Sequence, residues 1–208
     1  MKISYAITVC NEIDEIKRLV PFLLKHKRKE DEIVILFDEK NGNEDVLNFL
    51  LSYNKLPKVQ TWRSFDWDNN FGDWKNKLNN YCVGDYIIQI DADEMISEYM
   101  IKNLHQILEM NPMVDLYFVP RINTVEGLTK EHIKKWKWNV TDAGWVNFPD
   151  YQTRLYRRTS EIEWQGKVHE RIIGYNTLSV LPSEEQYSLY HHKQIERQEK
   201  QNAYYDTI

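Results

Sequence analysis

The chain has 208 residues, 42% hydrophobic and 28% charged, which fits one globular domain that needs neither disulfides nor a structural metal to fold. Its formal net charge of -5 excludes wholesale nucleic-acid binding, which shows as a basic excess. Cys10 and Cys82 are too few for a disulfide framework, and neither a signal-peptide core nor an apolar run of ~18 residues is visible. The expectation is a cytoplasmic protein with no transmembrane segment, for which peripheral contact with a membrane stays open.

The first half alternates strand and helix signals, which predicts a parallel sheet with helices on its faces. Ile3 to Val9 reads as the first strand, and Asn11 as the cap of a helix that carries Ile13, Ile16, Val20 and Leu23 on one face. Pro21 should kink or split that helix. Glu32 to Phe37 is a buried strand, followed by a turn over Asp38-Glu39-Lys40-Asn41-Gly42. A second helix gathers Val46, Phe49, Leu50 and Tyr53 behind Asn43 as cap, and Lys58 to Arg63 is a candidate third strand. Phe71, Trp74, Leu78 and Tyr81 fall at helical spacing, with Gly84 as the stop. Tyr86 to Ile90 is a fourth strand that runs straight into Asp91-Ala92-Asp93-Glu94.

Beyond that point the pattern changes. Ser97 opens a helix with Met100, Ile101, Leu104 and Leu108 inward, and Asp115 to Val119 reads as a strand. Residues 121–150 lack periodicity but hold many Trp, Lys and Asn, which reads as a long loop or lid. Leu155 to Arg158 and Lys167 to Ile173 are short strands, and 193–205 is an exposed helix or loose tail. The division expected is 1–120 as a ligand-binding half, 121–192 as a second half with the Trp-rich loop, and 193–208 as a polar end, all in one compact domain.

Three constellations carry chemistry. Asp91 and Asp93, just past a buried strand, can offer oxygen ligands to a hard divalent cation, or simply cap the strand end and form a turn. A second copy of the pattern, Asp66-Trp67-Asp68, follows no apolar run and reads as loop polarity or a helix cap. His169 and Glu170 belong with the first pair only if their segment lies near the Asp91 turn; otherwise His169 is an ordinary surface or core histidine. Asp150, with Arg154 to orient it, is a candidate general base or a Pro-Asp turn with a surface ion pair. Trp136, Trp138 and Trp145 lie in polar surroundings where a core role is not obvious, although large rings covering a small core would look the same.

Thr8-Val9-Cys10-Asn11-Glu12, Asp38-Glu39, Gly84-Asp85-Tyr86, Asp91-Ala92-Asp93-Glu94, Pro149-Asp150-Tyr151-Gln152-Thr153-Arg154-Leu155 and Val168-His169-Glu170 together resemble family 2 of the glycosyltransferases. Within it they are similar to the lipopolysaccharide-core glucosyltransferase branch. The resemblance spans roughly residues 3–173. It implies an α/β GT-A fold, a mostly parallel sheet flanked by helices in a small single-domain version. The activity it implies is metal-dependent, inverting transfer of a hexose from a nucleotide-sugar, most often a UDP-sugar, to a hydroxyl of a glycan or lipid-linked glycan. Thr8, Asn11 and Glu12 would border the nucleotide, Asp38 would hold base or ribose, and Lys75 and Asn76 would lie near the donor. Asp91 would contact ribose or the metal's water, while Asp93 and His169 would ligate Mn2+ or Mg2+. Asp150 would take the acceptor's proton, with Glu170 as its competitor. The family's usual Ser-Thr-Asp-Gly-like turn is here Glu39-Lys40-Asn41-Gly42-Asn43. Two other readings stand beside this one. A sugar nucleotidyltransferase would want a Gly-rich first turn, which Thr8 to Glu12 lacks. A non-catalytic carbohydrate-binding module on a decayed scaffold would bind sugar without metal or nucleotide.

Overall fold

The computed structural model describes residues 1–53, 61–67 and 69–205. The predicted strand at Lys58 and the Asp68 of the second Asp-x-Asp therefore begin or lie outside the described residues. In chain order the elements are β1 (Ile3–Val9), α1 (Ile13–His26), β2 (Glu32–Asp38), α2 (Glu44–Tyr53), β3 (Thr61–Phe65), α3 (Phe71–Asn79), β4 (Tyr86–Asp91), β5 (Glu94–Ile96), α4 (Glu98–Met110), β6 (Leu116–Val119), β7 (Arg121–Glu126), α5 (Lys130–Trp136), β8 (Gln152–Arg157), β9 (Glu163–Gln165), β10 (Arg171–Ile173), β11 (Leu178–Val180), β12 (Leu189–Gln194) and α6 (Ile195–Tyr205).

The main sheet has the order β11-β6-β8-β4-β1-β2-β3, and all its strands run parallel except β8. Apolar residues on alternate positions explain its two faces, because side chains in a strand point to opposite sides. Ile3, Tyr5, Ile7, Ile33, Ile35, Ile88 and Ile90 meet α1, α2 and α4 on one side. Ala6, Val34, Leu36, Ile87 and Tyr156 meet α3 and the β9–β10 hairpin on the other. A separate three-stranded sheet, β5-β12-β7, lies beyond the end of β4. Strands β8 and β11, from the expected second half, are thus built into the sheet of the first.

Several local expectations need correction. Asn11 does not cap α1: the cap position is Glu12, whose carboxylate instead turns back to accept from the N–H groups of Cys10 and Asn11. Pro21 neither splits nor ends α1, which runs on for five residues beyond it to His26. Gly84 does not stop α3, which ends at Asn79. Gly84 lies against β1, where a Cβ would meet the Ser4 nitrogen at 2.6 Å. The stretch read as a lid contains β7 and α5, and 166–170 is a turn rather than a strand. Asn43 and Ser97 do cap α2 and α4, each accepting from the N–H three residues on. Ser97 also donates to the carbonyl of Gln186, tying α4 to the segment before β12. Replacing Ser97 by Ala should lower unfolding stability by about 1–2 kcal/mol in urea titration, and an unchanged midpoint would contradict the cap.

Candidate active site

The parallel strands β1, β2 and β4 end side by side, and a cavity of about 990 Å3 opens beyond their C-terminal ends. That is where open α/β sheets bind ligands. Thr8, Asn11, Glu12, Asp38, Lys75, Asp91, Asp93, His169 and Glu170 all line it. The sequence reading therefore gathers nine of its candidates at one place.

Asp38 closes the β2 end of the cavity. One carboxylate oxygen accepts from the N–H groups of Lys40 and Asn41, and the other from the Asn41 side chain at 2.8 Å. The half-buried thiol of Cys10 lies 3.8 Å away, and burial together with the Asp38 charge pushes it up to about 12, so it stays protonated.

Under the cavity runs a ladder of alternating charges. Arg154, buried on β8, donates to Asp91 and, at 2.9 Å, to Glu94, whose side chain is 0% exposed. Arg121 on β7 donates to Glu94 at 3.1 Å and to Asp150 at 2.7 Å. Burial alone would raise Asp91, but Arg154, Lys75 and Arg121 overcome it and hold its carboxyl well below the usual range. Asp150 is likewise held low: burial opposes its charge, while Arg121, Asn123 and Gln152 all donate to it. Arg154 was expected to orient Asp150, and the structure gives that role to Arg121. The reason is local: the Arg121 N–H donates to the Asp150 carbonyl at 3.0 Å, so the two side chains start as neighbours.

Asp93 stands at the cavity rim. The imidazole beside it is that of His191, with Nε2 3.4 Å from its carboxylate. The Nδ1 of His191 is fixed by Asn123 at 2.8 Å. His169 reaches the cavity from a different side, in a turn where its own φ is 53°. That turn is anchored on α3: Phe71 and Gly72 donate their N–H groups to the carbonyls of Lys167 and Gly166. A Cβ at Gly72 would meet the Gly166 carbonyl at 2.9 Å, so the close approach depends on glycine there. Glu170, carried by the same turn, accepts from Lys75 at 2.6 Å. Asn76, next to Lys75, does not itself line the cavity and makes paired hydrogen bonds with the Trp164 backbone on β9. Arg197 of α6 reaches over the rim to Glu12 at 3.4 Å and Asp93 at 3.3 Å.

Arg121, His191, Lys193 and Arg197 are the site residues that the sequence did not mark. Alternation was the available signal, since Leu189, His191 and Lys193 share one face of β12. A smaller cavity of about 190 Å3 adjoins the first, and Arg121, His191 and Lys193 line both.

Removal of Arg154 would take the arginine partner from half-buried Asp91 and leave buried Glu94 with Arg121 alone. Arg154→Met should cost about 3–5 kcal/mol at pH 7 by urea titration. The depressed pKa of Asp91 means that the wild-type contribution is complete above about pH 4 and fades as pH falls below it. The gap between variant and wild type should therefore narrow in acid; a gap constant from pH 7 to pH 3 would contradict the ladder.

The profile described as "Glycosyl transferase family 2" matches residues 4–180. The SPbeta prophage-derived glycosyltransferase SunS of Bacillus subtilis (strain 168) is 22% identical over 174 residues, 84% of this chain and 35% of that protein. The glycosyltransferase SunS of Bacillus phage SPbeta matches to the same extent, so the chain spans about a third of the length of these curated relatives. Among solved structures, S. aureus TarS 1-349 in complex with UDP-GlcNAc has a TM-score of 0.64 at 18% identity, covering 93% of this chain and 59% of that one. The complex of the same protein with UDP has a TM-score of 0.59 at 16% identity, covering 92% and 60%. These likenesses show a shared GT-A fold, with its mostly parallel central sheet and flanking helices. The chain belongs to glycosyl transferase family 2.

Proposed function

We propose that this glycosyltransferase moves a hexose from a UDP-sugar to an acceptor hydroxyl with inversion, assisted by a divalent cation. The observation that carries the reading is the meeting of Asp91, Asp93 and Glu170 in a cavity of about 990 Å3 beyond the ends of β1, β2 and β4, with Asp150 hydrogen-bonded to two residues of its lining, Arg121 and Gln152. The fold shared with a protein solved with UDP and UDP-GlcNAc supports the choice of donor. The lipopolysaccharide-core branch remains part of the proposal, supported by the motifs around Asp150 and His169.

The donor groups present suit a cation. Asp93 supplies a carboxylate and His191 an imidazole nitrogen 3.4 Å away, a pairing that fits Mn2+ better than Mg2+. Among the described residues no cluster of three or more ligating side chains occurs, so these two would hold the ion with oxygens from the diphosphate and water. A bound cation would offset the charge that develops on the diphosphate as it leaves. Thr8, Asn11 and Asp38 border the space for the nucleoside.

Asp150 accepts the acceptor hydroxyl's proton while that oxygen attacks the anomeric carbon and the bond to UDP breaks on the opposite face. It is a carboxylate ionised at neutral pH, and the three donors around it fix its direction. Glu170 is turned instead toward Lys75 on the α3 side. That arrangement favours Asp150 as the base and Glu170 as a donor-side residue.

Incubation with UDP-glucose, UDP-galactose and UDP-GlcNAc plus Mn2+, with UDP release followed by coupled assay, should give turnover with one of them. Asp150→Asn should cut kcat at least 100-fold with little change in donor KM, and Glu170→Gln should raise donor KM. Normal turnover in Asp150→Asn, with kcat lost in Glu170→Gln, would reverse the assignment. His191→Ala should lower the activity gained from Mn2+ more than His169→Ala does.

A further inference from the structure

The smaller cavity lies on the far side of Arg121, His191 and Lys193 from the nucleotide end. Its floor is the pair β7 and β12, in register at Asn123↔His191 and Val125↔Lys193. Its wall is Trp138, Val146 and Asn147, in a segment folded back by the bridges Asn123↔Val146 and Val140↔Val146. At about 190 Å3 it falls below the roughly 300–1,000 Å3 of a drug-sized ligand site, which leaves room for one ring and not for a chain.

The lining combines one aromatic face with neutral hydrogen-bonding groups. Trp138 and two valines supply apolar surface, while Asn123, Thr124 and Asn147 supply amides and a hydroxyl. Two of the basic groups at the edge have acidic partners: Arg121 lies between Glu94 and Asp150, and His191 stands beside Asp93. A polyhydroxylated ring with an apolar face fits both kinds of lining. Of the three tryptophans singled out in the sequence, only Trp138 lines the cavity. Trp136 is stacked between His132 and Trp138, and Trp145 packs on Phe148.

We propose that this cavity holds the acceptor's terminal sugar, a neutral pyranose-sized unit laid on Trp138, with its free hydroxyl toward the Arg121–Asn123 edge. The inference rests on the donor reading above. Both edge residues donate to Asp150, so a ring seated there brings its hydroxyl to the carboxylate that would take its proton.

Methyl glucoside, methyl galactoside and methyl N-acetylglucosaminide, each with UDP and Mn2+ present, can be tested on the full chain by saturation-transfer NMR. At least one should bind, with affinity falling roughly tenfold in Trp138→Ala and staying within about threefold in Trp138→Phe. Calorimetric UDP affinity should be equal in all three proteins. If Trp138→Ala fails to fold, Trp138→Leu, which keeps bulk without an aromatic face, carries the same comparison. Glycoside binding unchanged by Ala or Leu, or no glycoside binding by wild type that does take up UDP, overturns the acceptor site alone. Absence of UDP binding by wild type overturns the donor reading and the inference with it.

Discussion

Arg154 sits almost wholly out of solvent between Asp91 and Glu94, and Glu94 in turn is shared with Arg121, which grips Asp150. Five charges on four strands and one loop are placed by this single chain of contacts. Such a buried ladder contributes little net stability compared with apolar packing, since each ion loses its hydration. Its consequence is positional. Glu94 belongs to the small sheet and Arg154 to the large one, so the ladder joins the two sheets. The carboxylates at the cavity inherit their directions, and the low pKa values of Asp91 and Asp150, from the same arginines.

The small sheet is what turns an open α/β end into a partitioned site. Parallel pairing of β7 with β12 brings Asn123 beside His191, and Asn123 contacts both Asp150 and His191. One asparagine thus links the proposed base to the proposed cation ligand. On the opposite side, the anchoring of the Gly166–Glu170 turn to the start of α3 delivers Glu170 to Lys75. The acidic groups and His191 arrive from both sides of the sheet end, carried there by backbone contacts.

The α/β half was legible in the sequence because its strands are continuous apolar runs and its helices carry one apolar face. Caps followed where a side chain had no better partner: Asn43 and Ser97 cap, whereas Asn11 is displaced by the longer Glu12 carboxylate. The second half was not legible in the same way. Strands β7 and β12 are partly polar because they line the cavities, so alternation there looks like loop composition. His191 was missed for this reason, whereas His169, expected beside the metal from the far side of the site, lines the same cavity as Asp93. Nearness in sequence favours Arg154 as Asp150's partner, whereas Arg121, 29 residues away, makes the contact through both its backbone N–H and its guanidinium.

The central claim is that the ends of β1, β2 and β4 form a metal-assisted site for a nucleoside diphosphate. Calorimetric titration of the chain with UDP, once with Mn2+ and once with EDTA, tests it most directly. The account predicts saturable binding with Mn2+ that weakens at least tenfold in EDTA and in Asp93→Ala. Equal affinity with and without the cation would contradict the role given to Asp93 and His191, and absence of binding in both conditions would contradict the site itself.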